Sequence, residues 1–344
     1  MSSRAPRPTP LRWALASAIV ILALVVGGGT AHADPAGPTD YRSEILSVEP
    51  ATTGVSLDIL GGDSFVQLTA EPGTEATVVG YFGEPYLWFL PDGEVRENRN
   101  SPTSYQNENR YGADAPDFAT ADADPDWETV ARSGSFAWHD HRAHWMQPIR
   151  PAGQEPGDQI LEQVIPITVN GEDVAVTVIS TWEPEPSMLP AIIGGLLGAA
   201  VVAVAVWLSR RSAGWAIVLA PVALAALVAG WWQYTSLPAE TGPRLVWPLL
   251  PALAVVAAVA AYPLRNRSPF LAQAAGLVAA SELVVWAFIK RDGLTAAIVP
   301  TGAPQWFERL VLVAAFVAGV GGVVLAISRL FFMSPGTRDA VATT

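Results

Sequence analysis

The chain has 344 residues, 51% of them hydrophobic and 15% charged, and no cysteine, which excludes disulfides, thiolate metal sites, cysteine nucleophiles and iron–sulfur clusters. Its net charge of −12 is unevenly divided: residues 34–187 carry 27 Asp and Glu against 7 Arg, whereas residues 188–344 carry 10 Lys and Arg against 5 Asp and Glu. An acidic polar block thus precedes a long apolar one, and that block repels nucleic-acid phosphates and anionic headgroups, so nucleic acid is not an expected partner.

Arg4, Arg7 and Arg12 precede an apolar run from Ala14 to Gly28 and then Ala31-His32-Ala33. A charged start, an apolar stretch and an A-x-A site predict a signal peptide over residues 1–33, with Asp34 as the new N-terminus; the alternative is an uncleaved anchor. Both put the next segment outside the cytoplasm.

Residues 34–187 are expected to form an extracytoplasmic β-sandwich of immunoglobulin-like character. Val55–Leu60 alternates, Gly61-Gly62-Asp63 turns the chain into Phe65–Thr69, and Glu71-Pro72-Gly73 turns it again into Ala76–Phe82. Pro91-Asp92-Gly93, between Tyr86–Leu90 and a strand starting at Glu94, and Asn170-Gly171, between Ile165–Val169 and Val174–Thr181, predict hairpins. The stretch from Asn98 to Trp127, rich in Asn, Asp, Pro and Ser, is too long for a turn and reads as an insertion. Within it, Asp122, Asp124 and Asp126 alternate like a calcium loop but lack its glycine and distal glutamate, and the simpler reading is a solvated acidic loop.

The stretch Trp138–Met146 concentrates the chemistry. Three of the four histidines, His139, His141 and His144, fall within it. On a strand over 136–141, His139 and His141 would share one face about 7 Å apart, with Asp140 and Arg142 on the other. His144 joins them only if the chain bends at Arg142-Ala143, and Met146 adds a thioether. Imidazole with thioether suits copper, and three imidazoles suit copper or zinc. Glu84, in the turn of Gly80–Tyr86, is a further candidate ligand or an ion-pair partner for Arg142, and the simpler reading is a turn with an exposed acid and packed aromatics. The competing reading is structural: imidazoles between Trp138 and Trp145 in a hydrogen-bonded cluster or at a membrane interface, with Asp140 and Arg142 as an ion pair. Ser133 and Ser135 lack a nucleophile elbow, and no enzymatic activity is expected.

After the stiff linker Glu183–Pro186, five runs of membrane-spanning length follow, at 189–208, 215–232, 245–262, 270–289 and 307–327, making residues 188–330 a transmembrane domain. Arg210/Arg211, Arg265/Arg267 and Arg329 all fall on one side, so the positive-inside rule predicts a multi-pass plasma-membrane protein with a cytoplasmic tail over 331–344. Lys290 and Arg291 break the rule, but Asp292 and Glu308 share their loop. Glu282 lies inside the fourth span, where a carboxylate is costly and hence a functional candidate; it either stays protonated or pairs with Arg244 or Arg309. No span holds a histidine, which excludes axial histidine ligation of haem within the bilayer. Gly194 and Gly198, and the small residues around Gly319–Gly322, have the spacing of close helix contacts.

With its signal segment, five spans, Gly83-Glu84-Pro85-Tyr86 and the Trp138–Trp145 segment, the chain resembles an uncharacterised family of actinobacterial membrane proteins, which implies the same layout and no assigned activity. A looser resemblance, resting on the sandwich, the export signal and the His/Met content, is to exported copper-resistance C-type sandwich domains. It implies copper handling, although Asp34 stands where that type has a histidine ligand. Two functions are therefore expected: copper or zinc binding by the exported domain, or an envelope or membrane-complex interaction module whose histidines are structural.

Overall fold

A computed structural model describes residues 35–147 and 149–332. The segment read as a signal peptide, and all but the first two residues of the predicted tail, lie outside the described residues. The N-terminal region is built from antiparallel strands: β1 Tyr41–Glu49, β2 Val55–Leu60, β3 Phe65–Ala70, β4 Ala76–Val79, β5 Pro85–Phe89, β6 Val95–Asn98, β7 Trp127–Ala131, β8 Ser135–Trp138, β9 Gln159–Val169 and β10 Glu172–Trp182. They form a seven-stranded sheet ordered β1-β10-β9-β4-β5-β6-β7 and a three-stranded sheet ordered β2-β3-β8. Alternate residues from both sheets, among them Val66, Leu68, Val78, Leu87, Ile165, Val176 and Val178, share one core with Tyr86 and Trp138. Asn170 (φ 51°) and Gly171 (φ 84°) form the predicted β9–β10 turn, where both central residues need positive φ. The insertion, from Asn98 to Trp127, includes a short helix, α1 Pro102–Gln106.

The C-terminal region is helical: α2 Leu189–Ser209, a 3₁₀ turn Trp215–Leu219 continuing into α3 Ala220–Thr235, α4 Val246–Arg267, α5 Pro269–Ile289 and α6 Gln305–Phe332. Five helices are long and apolar enough to cross a membrane. At several crossings their backbones meet at glycines. A Cβ on Gly194 would stand 2.1 Å from the Leu310 carbonyl oxygen, one on Gly198 2.8 Å from that of Ala314, and one on Gly230 2.2 Å from that of Trp247. Gly194 and Gly198 thus seat α2 on α6, Gly319 seats α6 on α5 through the Ala280 carbonyl, and Gly230 seats α3 on α4.

Five alternating helices place the 236–245 and 290–304 loops at one end, beside the start of α2, and Arg210, Arg211, Arg265, Arg267 and Arg329 towards the other. The β region sits on the first end. Thr39 and Ile298 exchange both backbone hydrogen bonds (3.0 and 2.9 Å), Asp40 Oδ1 accepts from Ala297 N (3.0 Å), and Glu240 Oε1 accepts from Ala137 N (3.1 Å). An apolar cluster of Ala36, Phe65, Ala137, Leu237 and Trp247 fills the junction. The buried pair Lys290–Glu308 (2.7 Å) and Arg309, which donates to the carbonyls of Ala296 and Ala297 (2.7 and 2.8 Å), brace the loop that receives Thr39. That bracing accounts for Lys290, one of the two cations that broke the charge rule; Arg291 stays exposed, 3.6 Å from Asp292.

Candidate functional site

The histidine segment departs from the predicted strand after Trp138. Asp140 accepts from Trp138 Nε1 (2.9 Å), from the Arg142 backbone N–H (3.0 Å) and from Arg142 Nε and Nη2 (2.8 Å each), while Ala143 N donates to the Asp140 carbonyl (2.8 Å). An aspartate that bonds its own following backbone forms a turn in competition with the sheet ladder. His139 and His141 therefore do not share a strand face. The bend at Arg142-Ala143 does occur, and it brings His144 to ring-centroid distances of 6.1 Å from His139 and 5.4 Å from His141, edge-on to both.

Bringing the rings together does not make them ligands. His139 and His144 are 2% and 1% exposed. His139 stacks on Phe65 at 4.1 Å, and His141 stacks on Tyr81 at 5.5 Å. His144 Nε2 lies 2.8 Å from the Arg110 carbonyl, so this nitrogen carries the proton, and His141 Nε2 faces the Asn109 carbonyl at 3.3 Å. Burial, reinforced by the neighbouring Arg110 charge, pushes His144 down to about 3, and burial lowers His141 as well. Met146 is half-buried past the turn. Among the described residues, no group of three or more His, Asp or Glu is placed to hold a metal, so the copper or zinc expectation finds no support in this arrangement. Asp122, Asp124 and Asp126 are all exposed.

Glu84 is buried at 3% exposure rather than an exposed acid on its turn, and it is used elsewhere too. Its Oε1 accepts from the Ser101 and Thr103 hydroxyls (2.7 Å each) and its Oε2 from Phe82 N (3.0 Å). Burial would raise this carboxyl, but those hydrogen bonds outweigh it and hold it below its ordinary value. A Cβ at position 80 would stand 2.2 Å from the carboxylate, which explains Gly80. Arg142 is thus not paired with Glu84. It forks onto Asp140, donates to the Val79 carbonyl (3.1 Å) and lies 4.8 Å above the Tyr81 ring. Asp140 is fully buried, and the Arg142 charge and its hydrogen bonds outweigh that burial to hold it low.

Sequence reasoning missed the companion pair. Asp63, fully buried, forms a two-pronged ion pair with Arg110, and burial pushes its carboxyl up against the opposing pull of that arginine. The Tyr81 hydroxyl accepts from His141 N (2.8 Å) and donates to Asn107. Arg110 is one of two arginines in the otherwise acidic insertion, a signal for a buried counter-charge. Together these groups fasten the insertion to the sheets through Asp63, Glu84 and the histidine turn.

A second recess lies at the junction. β1 and β2 are edge strands of different sheets. Ser43 N donates to the Gly62 carbonyl (2.9 Å) at one end of the gap between them, which opens into a cleft of about 550 Å³. Arg42, Glu44 and Asp58 line it from the strands, and Val299, Thr301 and Gln305 from the bundle. Glu282 is half-buried on α5 and has no hydrogen bond or ion pair among the described residues; Arg309 is engaged with the 290–304 loop and Arg244 is exposed, so neither expected pairing is present.

Comparison with known proteins gives no matching family model, no matching curated protein and no matching solved structure.

Proposed function

We propose that the chain is a multi-pass plasma-membrane protein acting as a non-enzymatic envelope interaction module, with its β domain on the extracytoplasmic side and its histidines structural. The cleft between β1, β2 and the 298–305 segment carries this reading. Its walls come from both regions, and two sheet edges that are unpaired among the described residues border it, which is the geometry that receives an added extended segment. The positive-inside rule supports the orientation. The burial of His139 and His144 and the commitment of His144 Nε2 support a structural role for the segment.

Two measurements on the full chain test this. Calorimetric titration with Cu(II), Cu(I) and Zn(II) should give no site tighter than about 10 µM, and a tighter stoichiometric site lost in His141→Ala restores the metal reading. A photo-crosslinker in place of Asp58 should give a discrete adduct in cells while one in place of Asp173 gives none. Equal labelling at both positions removes the cleft as a docking place.

A further inference from the structure

A lipid-facing groove of the bundle has the composition and the charged end of a built site. α2 and the 215–219 turn leave the 210–214 connection side by side and then separate: α2 leans on α6 through Gly194 and Gly198, while α3 leans on α4 through Gly230. The gap between them is an apolar groove of about 500 Å³, walled by Leu197, Val201 and Val204 on α2 and Val222 and Ala225 on α3, and floored by Ala314 on α6. Every lining residue is apolar.

Cations gather beyond the end of the groove that faces the 210–214 connection. Arg210 and Arg211 are exposed on the connection, with the Arg211 guanidinium 3.9 Å from the Trp207 ring. Arg329 Nη2 donates to Ser209 Oγ (2.9 Å), and the Arg265 side chain packs where a Cβ on Gly214 would stand. Among the described residues none of these four arginines has a carboxylate partner: Glu240, Asp292 and Glu308 stand at the opposite end, and Glu282 is nearer to that end on α5. The groove section 197–204 is about 10 Å long and begins about 9 Å from Arg210, so groove and cations together cover roughly 20 Å, close to one leaflet with its headgroup layer.

We propose that this groove holds one acyl chain of an anionic phospholipid whose phosphate is bound by Arg210 and Arg211. A transmembrane helix of a partner fits less well, because 10 Å of helix with side chains occupies roughly 800–1,100 Å³. A second copy docking there in parallel would bring its own arginines to the same end. The acidic β region lies at the other end of the bundle, so its repulsion of anionic headgroups does not act here. Basic residues at the ends of spans attract anionic headgroups, and the apolar groove adds the chain-length contacts that a bare surface arginine lacks.

The full chain, purified in mild detergent and given palmitoyl-oleoyl phosphatidylglycerol or phosphatidylcholine, is read by native mass spectrometry. One phosphatidylglycerol per chain should be retained in preference to phosphatidylcholine. Arg210→Gln with Arg211→Gln should lower that retention roughly thirtyfold, two charges' worth of attraction. Val204→Trp, at the exposed rim where a larger side chain leaves the bundle intact, should lower retention of both lipids. Arg244→Gln with Arg291→Gln, at the opposite end, should leave retention at the wild-type level. The proposal fails if wild type shows no preference between the lipids. It fails equally if the Arg244/Arg291 pair loses as much as the Arg210/Arg211 pair, or if Val204→Trp converts a dimer to a monomer with lipid retention unchanged.

Discussion

In the β domain, Asp63, Glu84 and Asp140 are at most 3% exposed and each is matched by an arginine or by hydroxyl and amide donors, whereas the helical bundle packs an apolar interior, with Ala226, Ala258, Ala280 and Ala315 set around Trp215 and Trp286, and gathers its buried ion pair and Arg309 at the end beside the β domain. The surrounding solvent explains the contrast. A domain in water gains stability by removing apolar side chains from it, and a few buried charges are tolerable where rigid sheets hold their partners in place. Lipid is as apolar as leucine and gives helices little reason to associate, so close backbone approach at glycine does that work and buried polar side chains are few. The one carboxylate that breaks the bundle's rule, Glu282, is half-buried on α5 rather than enclosed.

The largest effect is expected where the β domain's rule is broken. Asp140→Ala leaves the Arg142 guanidinium mostly buried without its fork, and should lower the stability of the β domain by about 3–5 kcal/mol. Denaturant unfolding followed by tryptophan fluorescence measures it. A loss under 1 kcal/mol means that the pair is not structural and the contrast with the bundle is weaker than drawn.

The bundle's own rule is broken at Gly194. A valine there puts methyl groups against the Leu310 backbone, where even a Cβ would stand 2.1 Å from oxygen. The α2–α6 contact must open, at about 1–3 kcal/mol or more. Thermal melting in detergent should fall, and crosslinks between cysteines introduced on α2 and α6 should be lost. The same substitution at Gly195, which has only a Val313 methyl at 3.7 Å, should do little.

Much of this contrast is readable in the sequence because it depends on local pattern. The apolar runs give all five helices to within a few residues at most ends, the alternation of Val55–Leu60 gives β2 unchanged, and Asn170-Gly171 gives its turn from its need for positive φ. The site was less legible. His139-Asp140-His141 alternates as a strand would, and only the capture of Asp140 by Trp138, Arg142 and its own following backbone stops the ladder. The pairing of Asp63 with Arg110 spans 47 residues, so the arginine in an acidic insertion signals a counter-charge without naming it. The 290–304 loop reads from sequence as a plain connection, and its role as the seat of the β domain appears only when Thr39 reaches Ile298.

The histidine turn gives the β domain a pH dependence that the bundle interior, which buries no histidine, should lack. The unfolded chain protonates position 144 near its ordinary value of 6.5, whereas the folded domain holds it neutral down to about 3. The unfolded state therefore binds more protons in this window, and stability falls as pH falls through it, by up to about 1.4 kcal/mol per unit. His141, also lowered by burial, acts in the same direction. His144→Gln keeps a donor for the Arg110 carbonyl and removes the titration, so unfolding of this variant between pH 7 and 4 should be flatter than wild type. Parallel pH curves would show that His144 is not the neutral buried group.

The smallest effect is at the contact that decides whether the two regions act as one. Glu240, half-buried in the loop before α4, reaches across to accept from Ala137 N at 3.1 Å, in the strand that leads into the histidine turn. Ala137 is buried but Glu240 is only half-buried, so water entering where the carboxylate stood replaces part of the bond and the loss is about 1 kcal/mol. In Glu240→Ala the amide of Ala137 should exchange about fivefold faster, and so should those of Thr39 and Ile298, whose mutual bonds share the junction. Amides in the centres of both cores, such as Val176 and Ala258, should not change. If exchange instead rises throughout the β domain, the two regions unfold together and docking is part of the domain's own stability. If it rises at Ala137 alone, the Thr39–Ile298 bridge holds the junction without help, and the β domain is seated on the bundle by that bridge and the apolar cluster around Phe65 and Trp247.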